Sequence, residues 1–174
     1  MQNDDEAELI ARSLDGDGEA YAKVIDRYKN AVYRHCFAIV RDEDVAEDIA
    51  QETFINAYYK LKQYNSDYRL ATWLFKISTN KCLTYLKQGR KEVALEGALA
   101  ASIASREPVP HTVAEYSELH DAVQALRPQY RAVISLYYWQ GQDYATIASV
   151  LDAPINSVRV WLKRAKEELG KELG

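Results

Sequence analysis

The last stretch of helical periodicity in the sequence carries side-chain types that read base edges and bind phosphates. On a helical projection from Val158, the side chains of Leu162, Ala165 and Leu169 fall on one side. The opposite side holds the residues suited to DNA contact: Asn156, Arg159, Val160, Lys163 and Arg164, with Lys166 flanking them. Arginine and asparagine can pair bidentately with guanine and adenine, an exposed valine can contact a thymine methyl group, and lysine neutralises phosphate. The pattern therefore predicts a DNA-reading helix.

The residues before this helix predict the element that would position it. Asp143 can cap a short helix, and a tight turn at residues 152–154 follows that helix. Its inward side is expected to hold Tyr144, Ile147, Ala148 and Leu151. Asn156 can then cap the final helix, and two short helices joined by a tight turn form a helix-turn-helix unit. Ordinary terminal helices also carry basic faces, but the turn and the short preceding helix favour DNA binding.

A helix predicted from Asp44 to about Lys62 carries an acidic stripe that also contains apolar residues. Its core side is expected to hold Ala46, Ile49, Ala50, Thr53, Phe54, Ala57 and Leu61. The opposite side holds Asp44, Glu47, Asp48, Gln51, Glu52, Ile55, Tyr58 and Tyr59. An acidic stripe alone is usually a solvated face, whereas this mixture of carboxylates with aliphatic and aromatic groups is typical of a protein interface. We therefore predict a docking surface for another protein.

Paired carboxylates on this stripe could instead hold a metal ion. Helical di-iron proteins use Glu-x-x-His motifs, and none of the three histidines, His35, His111 and His120, provides one. The sequence therefore predicts neither a metal site nor a cofactor.

A third helix, predicted from Thr72 to Gly89, ends in basic residues and follows a loop that contains aromatic ones. The residues that share its basic face are Lys81, Thr84, Gln88 and Lys91, with Lys87 and Arg90 beside them. The loop holds Tyr64, Asn65, Tyr68 and Arg69. Aromatic, amide and basic groups together can stack on and hydrogen-bond an unstacked base. Tyr64 and Tyr68 could equally seal the helix ends, and the sequence leaves these two alternatives open.

Helical periodicity extends through most of the 174 residues, with no strand-like alternation. Residues 92–112 lose this period and contain Pro108 and Pro110, which is typical of a linker. The sequence therefore predicts an all-α chain of two small helical domains, residues 1–91 and 113–174, joined by a flexible linker at residues 92–112.

The formal net charge of −4 argues against DNA binding by the chain as a whole, but the charge is unevenly distributed. Residues 81–91 hold four Lys or Arg and no acidic residue, and residues 122–174 hold seven basic residues against five acidic ones. Two basic segments in an acidic chain predict two local contacts with a polyanion. The acidic remainder should weaken non-specific DNA binding by the free chain.

No apolar run approaches the ~20 residues that a membrane span needs, and the N-terminal residues are acidic rather than typical of a secretory signal. Cys36 and Cys82 form no CxxC pair, which predicts buried thiols in a reducing compartment. We therefore expect a cytoplasmic protein without membrane insertion.

Four motifs taken together resemble the extracytoplasmic-function (ECF) group of the sigma-70 family of bacterial RNA polymerase sigma subunits. Region two of that family is resembled by DIAQETF at residues 48–54 and by TWLFKISTN at residues 72–80. Region four is resembled by LRPQYRAVISL at residues 126–136 and by SVR and RAK in the final helix. The order and spacing also match, over about residues 8–91 and 113–169. Asp152 and Asn156 stand where glycine is usual, and both tolerate turn geometry.

The resemblance implies an alternative sigma factor, with a region 2 helical bundle and a region 4 helix-turn-helix domain, that directs RNA polymerase to chosen promoters and catalyses nothing itself. The implied partners are core RNA polymerase, through the clamp helices of its largest subunit and its flap, promoter DNA, and an anti-sigma factor. A stand-alone helix-turn-helix regulator would explain residues 113–169 but would leave the docking helix without a purpose. A helical enzyme would lack a nucleophile, a metal set or a phosphate-binding loop.

The resemblance and the faces described above assign three sets of site residues. Docking on core polymerase is expected of Asp44, Asp48, Gln51, Glu52, Ile55 and Tyr59. Contact with the minus-ten promoter element is expected of Tyr64, Asn65, Arg69, Asn80, Lys81, Lys87, Arg90 and Lys91. Contact with the minus-thirty-five element is expected of Asn156, Ser157, Arg159, Val160, Lys163, Arg164 and Lys166.

Overall fold

The computed structural model describes the backbone of residues 2–96 and 114–174 and the side chains of residues 5–89 and 118–174. Over these ranges the chain is helical and contains no strand, which confirms the all-α prediction. The helices are α1 (Gln2–Leu14), α2 (Gly18–Val40), α3 (Glu43–Tyr59), α4 (Leu70–Glu96), α5 (Ala114–Ala125), α6 (Pro128–Ile134), α7 (Tyr144–Leu151) and α8 (Ile155–Leu173). A short 3₁₀ turn (Leu61–Gln63) follows α3, and a π-helical turn (Ser135–Trp139) extends α6.

Aspartates at the helix starts and left-handed residues at the helix ends set the boundaries of the helices. Asp17 accepts hydrogen bonds from two backbone amides at the start of α2, and Asp42 accepts one from Val45 at the start of α3. Arg41, at φ 65°, ends α2 in the left-handed conformation. In the second half Asp143 caps α7 as predicted, and Asp152, at φ 50°, ends α7.

Two features of α4 and α8 differ from the prediction. Helix α4 continues past Gly89 to Glu96, because a glycine inside a helix costs only about 1 kcal/mol and adjacent turns can offset that cost. Helix α8 begins at Ile155, so Pro154 rather than Asn156 occupies the capping position, and no side chain caps this helix. The division into domains at residues 1–91 and 113–174 stays a prediction, and residues 97–112 of the expected linker lie outside the described residues.

The first four helices form a bundle around a common apolar core. Helix α2 lies at its centre and packs against α1, α3 and α4. The core includes Leu9, Val24, Val32, Ile39, Ile49, Phe54, Leu70 and Leu74. Cys36 and Cys82 are buried free thiols within it, as the sequence predicted. Burial of so many aliphatic side chains, each worth about 1.5–3 kcal/mol, stabilises this half of the chain.

The second half packs directly against this bundle instead of lying apart from it. Helix α7 contacts α4, and α6 contacts α2. Phe75 of α4 shares one core cluster with Val133, Leu136, Ile147 and Val150 of the second half. The apolar interior is therefore continuous between the two halves of the chain.

A buried polar cluster lies where the two halves meet. His35 of α2 is fully buried, with Nδ1 2.8 Å from Ser135 Oγ and Nε2 2.7 Å from Thr79 Oγ1. At the edge of the same contact, both terminal nitrogens of Arg41 donate to Gln124. Buried polar groups cost free energy unless they are hydrogen-bonded, so Ser135 and His35 favour one particular docking of the halves.

The pH dependence of stability should depend on His35. Burial lowers the pKa of this imidazole from its ordinary value of 6.5 to about 3. Below pH 6.5 the unfolded chain binds a proton that the folded chain excludes, so the contribution to stability is present above pH 6.5 and is lost as the pH falls towards 3. Between pH 7 and pH 5 we expect His35 to lower the free energy of unfolding by about 2 kcal/mol.

The difference between the native chain and His35→Gln isolates this contribution, because glutamine is polar but does not titrate. Between pH 7 and pH 5, the free energy of unfolding measured by urea denaturation should fall about 2 kcal/mol less in the variant than in the native chain. An equal loss in both proteins would show that His35 does not carry the pH dependence.

Candidate functional site

The predicted docking residues form a continuous exposed surface along α3. Asp44, Asp48, Gln51, Glu52, Ile55 and Tyr59 are all exposed, whereas Ala46, Ile49, Thr53, Phe54 and Ala57 on the other side are buried. Ile55 is 55% exposed and Tyr59 is 80% exposed, which is unusual for side chains of this size. We call this set of six exposed residues the α3 face. It combines negative charge with large apolar groups, the composition of a surface that another protein covers.

An open cleft of about 440 Å³ lies between α3 and α4 next to the α3 face. Asp48 and Glu52 line one side of the cleft, and Asn80, Lys81 and Gln88 line the other. The Lys81 ammonium lies 3.0 Å from a Glu52 carboxylate oxygen. The sequence placed Asn80 and Lys81 with the minus-ten residues and Asp48 and Glu52 with the docking residues. The structure brings members of both sets together in one cleft.

The loop before α4 holds Tyr64 in a half-buried position. Its ring lies 5.3 Å from the ring of Trp73, its hydroxyl donates to the carbonyl oxygen of Tyr68, and burial raises its pKa. Asn65 accepts a hydrogen bond from the Asp67 amide at 3.0 Å, which orders the turn. Tyr68 and Arg69 are exposed. Tyr64 therefore packs against α4, as expected if it seals the end of that helix. Tyr68 is exposed and does not seal a helix end.

Asn80 lies away from this loop. It follows Trp73 by seven residues on α4, which is about two helical turns or ~10 Å along the axis. The loop residues and Asn80 therefore line different parts of the same α4 surface. Further along, Lys87 is exposed, and the side chains of Arg90 and Lys91 lie outside the described residues.

Helix α8 presents its predicted DNA-reading residues to solvent. Asn156, Arg159, Val160, Lys163, Arg164 and Lys166 are exposed, and Ser157 is half-buried. Val158, Leu162 and Ala165 are buried against the other helices of this half. The orientation predicted from the helical projection is therefore the orientation in the structure. Lys163 lies 4.0 Å from Glu167 one turn later, a weak exposed pair.

Three tyrosines beside α8 are neighbours of the site that the sequence analysis did not identify. The rings of Tyr137 and Tyr144 stack at 5.4 Å, and Tyr138 meets Tyr137 edge-on at 4.9 Å. The Arg159 guanidinium lies 5.9 Å from the centre of the Tyr144 ring, and the Lys166 ammonium lies 5.8 Å from that of Tyr138. We call Tyr138, Tyr137 and Tyr144 the tyrosine row. The adjacent residues Tyr137 and Tyr138 are the sequence signal for this row, and the sequence analysis placed Tyr144 on the inward side of its helix.

Among the residues whose side chains are described, no three His, Cys, Asp or Glu residues form a group that could hold a metal ion. No helix in the described part of the chain is long and apolar enough to cross a membrane.

Comparison with known proteins assigns the family. The family model "Sigma-70 region 2" matches residues 24–92, and "Sigma-70, region 4" matches residues 116–169. The chain belongs to the sigma-70 family. The two matched segments cover most of the chain and coincide with the two regions that the sequence motifs resembled.

Curated relatives place this sigma factor in the ECF group. The ECF RNA polymerase sigma factor SigW of Bacillus subtilis is 29% identical over 170 residues, which cover 91% of each chain. The RNA polymerase sigma-H factor of Pseudomonas aeruginosa is 28% identical over an alignment of 185 residues, gaps included. The alignment covers 99% of this chain and 96% of that protein. The sigma factor is thus an alternative sigma factor that directs transcription initiation, and a stand-alone helix-turn-helix regulator is not favoured. Sigma factors are initiation factors rather than enzymes.

Two solved structures share the fold of this sigma factor. The sigma factor RpoE of Bartonella quintana, in complex with the anti-sigma factor NepR, superposes with a TM-score of 0.73 at 22% identity, over 88% of this chain and 96% of that one. CnrH, in complex with the cytosolic domain of CnrY, gives a TM-score of 0.70 at 21% identity over 97% of both chains.

Proposed function

We propose that this sigma factor uses three separate surfaces during initiation. The α3 face docks on the clamp helices of the largest polymerase subunit. The Tyr64 loop and the exposed side of α4, including Arg69, Asn80, Lys81 and Lys87, contact the minus-ten element. The exposed side of α8 reads the minus-thirty-five element. The observation that carries the proposal is that α3 and α8 each expose most of their predicted contact residues on one side and bury the opposite side in the core.

The docking role follows from the composition of the α3 face. Its carboxylates can steer and orient a basic partner, while Ile55 and Tyr59 supply apolar area that gains free energy when it is covered. The ion pair of Lys81 with Glu52 keeps a basic group beside these acids, at the border between the docking surface and the DNA surface. One side of the bundle can therefore hold the polymerase while its neighbouring side meets DNA.

We further propose that the two halves of the chain act as separate domains during initiation. The two promoter elements are centred about 25 base pairs apart, which is roughly 85 Å along B-DNA at ~3.4 Å per base pair. A compact chain of this length is only about 40 Å across. The closed packing, with His35 and Ser135 2.8 Å apart, cannot place α4 and α8 on both elements at once. Up to ~60 Å of extended chain can join the halves through 17 residues once they separate.

We propose that this sigma factor acts in the cytoplasm and is restrained by an anti-sigma factor. The first part follows from its role on RNA polymerase and DNA. The second is supported by the complex of its structural relative RpoE with the anti-sigma factor NepR.

Replacing Asp48 and Gln51 together by alanine should weaken binding to core polymerase at least tenfold. Both residues are exposed on the α3 face, so the free energy of unfolding should change by only about 1 kcal/mol or less for the pair. Titration of labelled sigma factor with core polymerase measures the affinity. Glu8→Ala with Gln63→Ala removes the same charge and amide from other exposed positions and serves as the control. Docking through the α3 face is wrong if both double variants bind equally well.

Replacing Tyr64 by alanine should slow promoter opening far more than it weakens binding to an already melted promoter. Stacking on an extruded base is typically worth ~1–3 kcal/mol. Open-complex formation measured on duplex and on minus-ten-melted templates separates the two steps. Tyr64→Phe keeps the contact with Trp73 and the stacking surface, so it should open promoters almost normally. Equal defects of Tyr64→Ala on both templates would indicate that Tyr64 only supports the fold.

Locking the two halves together should block initiation without blocking docking. Arg41→Cys with Gln124→Cys places two exposed or half-exposed thiols across the contact, and the native Cys36 and Cys82 are buried. A short, reducible bis-maleimide should then yield a chain that binds core polymerase but does not initiate from promoters that need both elements. Reduction of the linker should restore initiation, and each single-cysteine variant treated with the same reagent is the control. Undiminished initiation by the locked chain would show that the halves need not separate.

A further inference from the structure

We propose that the tyrosine row positions Arg159 and Lys166 for DNA, with Tyr144 acting as a specificity-positioning residue for Arg159. This inference rests on the proposed reading of the upstream element by α8. It adds residues that lie outside α8 and need not touch a base themselves.

The contact of Arg159 with Tyr144 orders the guanidinium without neutralising it. A carboxylate partner would also fix the side chain, but its negative charge would cancel the positive charge and repel phosphate. No carboxylate of the described residues forms an ion pair with Arg159, whereas Lys163 lies near Glu167. An aromatic ring attracts the cation through its quadrupole and leaves its net charge unchanged. Arg159 therefore keeps both its charge and its hydrogen-bond donors available for a guanine.

The row is held in place from the side of the core. Tyr137 is half-buried and packs against the cluster that contains Val133, Leu136 and Ile147. The hydrogen bond from the Gln140 amide to the Ser135 carbonyl, 2.9 Å long, closes the π-helical turn that carries Tyr137 and Tyr138. Such turns are rare and often occur at functional sites. The Asp143 cap fixes the first turn of α7 and with it the backbone of Tyr144.

The spacing of the row matches the spacing of the two cations on α8. Arg159 and Lys166 are seven residues apart, which is about two helical turns and ~10 Å along one edge of the helix. The ring-to-ring steps from Tyr144 to Tyr137 and from Tyr137 to Tyr138 are 5.4 and 4.9 Å, so the row can span up to a similar length. Each end of the row therefore meets one cation. At the Tyr138 end, a hydrogen bond with the Tyr138 hydroxyl raises the pKa of Lys166.

The test of the Tyr144 contact is a double-mutant cycle read as base selectivity. Holoenzyme reconstituted with the native chain, Tyr144→Leu, Arg159→Ala or the double variant is bound to promoters substituted at each position of the upstream element. At the position where Arg159→Ala relaxes selectivity, Tyr144→Leu should lower selectivity about two- to fivefold, the range expected for an exposed cation–π contact. The double variant should be no less selective than Arg159→Ala alone. Tyr144→Phe keeps the ring and should retain native selectivity.

Arg164 provides the internal reference for this cycle. It is exposed on the same helix, and no described ring lies over it. At the promoter position where Arg164→Ala lowers base selectivity, Tyr144→Leu should be as selective as the native chain. If Tyr144→Leu lowers base selectivity equally at the Arg159 position and at the Arg164 position, Tyr144 has a purely structural role and the inference is overturned.

Tyr138 gives a second test that does not disturb the core, because its ring is 52% exposed. Tyr138→Leu should lower promoter affinity about twofold at all sequences, and it should have no further effect in a Lys166→Ala background. Additive effects of Tyr138→Leu and Lys166→Ala would overturn the positioning role of this end of the row.

The outcomes separate this inference from the proposed function on which it rests. If Arg159→Ala relaxes selectivity at one position and Tyr144→Leu does not, α8 reads DNA but the tyrosine row does not position Arg159. If Arg159→Ala itself leaves selectivity unchanged at every position, the reading of bases by Arg159 is wrong, and the inference is wrong with it.

Discussion

One buried imidazole orients the packing of the two halves of this sigma factor against each other. Both ring nitrogens of His35 are hydrogen-bonded only while Ser135 of the second half and Thr79 of α4 are in place. An unpaired imidazole in that apolar setting would cost free energy, so the cluster favours a single register of α6 on α2. The neighbouring apolar groups, with Phe75 inserted among residues of the second half, supply most of the binding area. The hydrogen bonds supply the geometry, and the apolar contact supplies the affinity.

This packed arrangement leaves most of the proposed contact residues exposed. The α3 face and the predicted DNA-reading side of α8 are exposed, and in the loop before α4 Asn65, Tyr68 and Arg69 are exposed while Tyr64 is half-buried. Under the proposed function, the packing restrains the chain because it fixes the two proposed DNA-contacting surfaces too close together for their targets, and not because it covers them. Under the same proposal, polymerase docked on the α3 face meets the same surface whether or not the two halves separate. In that proposal, the free energy needed to separate the two halves opposes the free energy gained when the chain binds the second promoter element.

Local patterns in the sequence predicted the helices and their exposed sides, and contacts between distant residues were beyond them. The side of α3 that carries Asp48 and the side of α8 that carries Arg159 follow from a 3.6-residue period, which any apolar core enforces. The docking of the halves depends on His35 meeting Ser135, 100 residues later, and no local pattern encodes that meeting. The cleft that joins Glu52 to Lys81 is a contact of the same kind. Pro154 took the capping position expected of Asn156 because proline suits the extended backbone there.

The division of α8 into a buried and an exposed side has an evolutionary consequence. Val158, Leu162 and Ala165 are buried and hold the helix in place. Under the proposed reading of DNA by α8, exchanges at exposed positions such as Val160 alter the surface offered to DNA while changing stability by about 0.5 kcal/mol or less. Duplicated genes can diverge at these positions without passing through an unfolded intermediate. Under that proposal, preferences for different promoters can arise in this way from one scaffold.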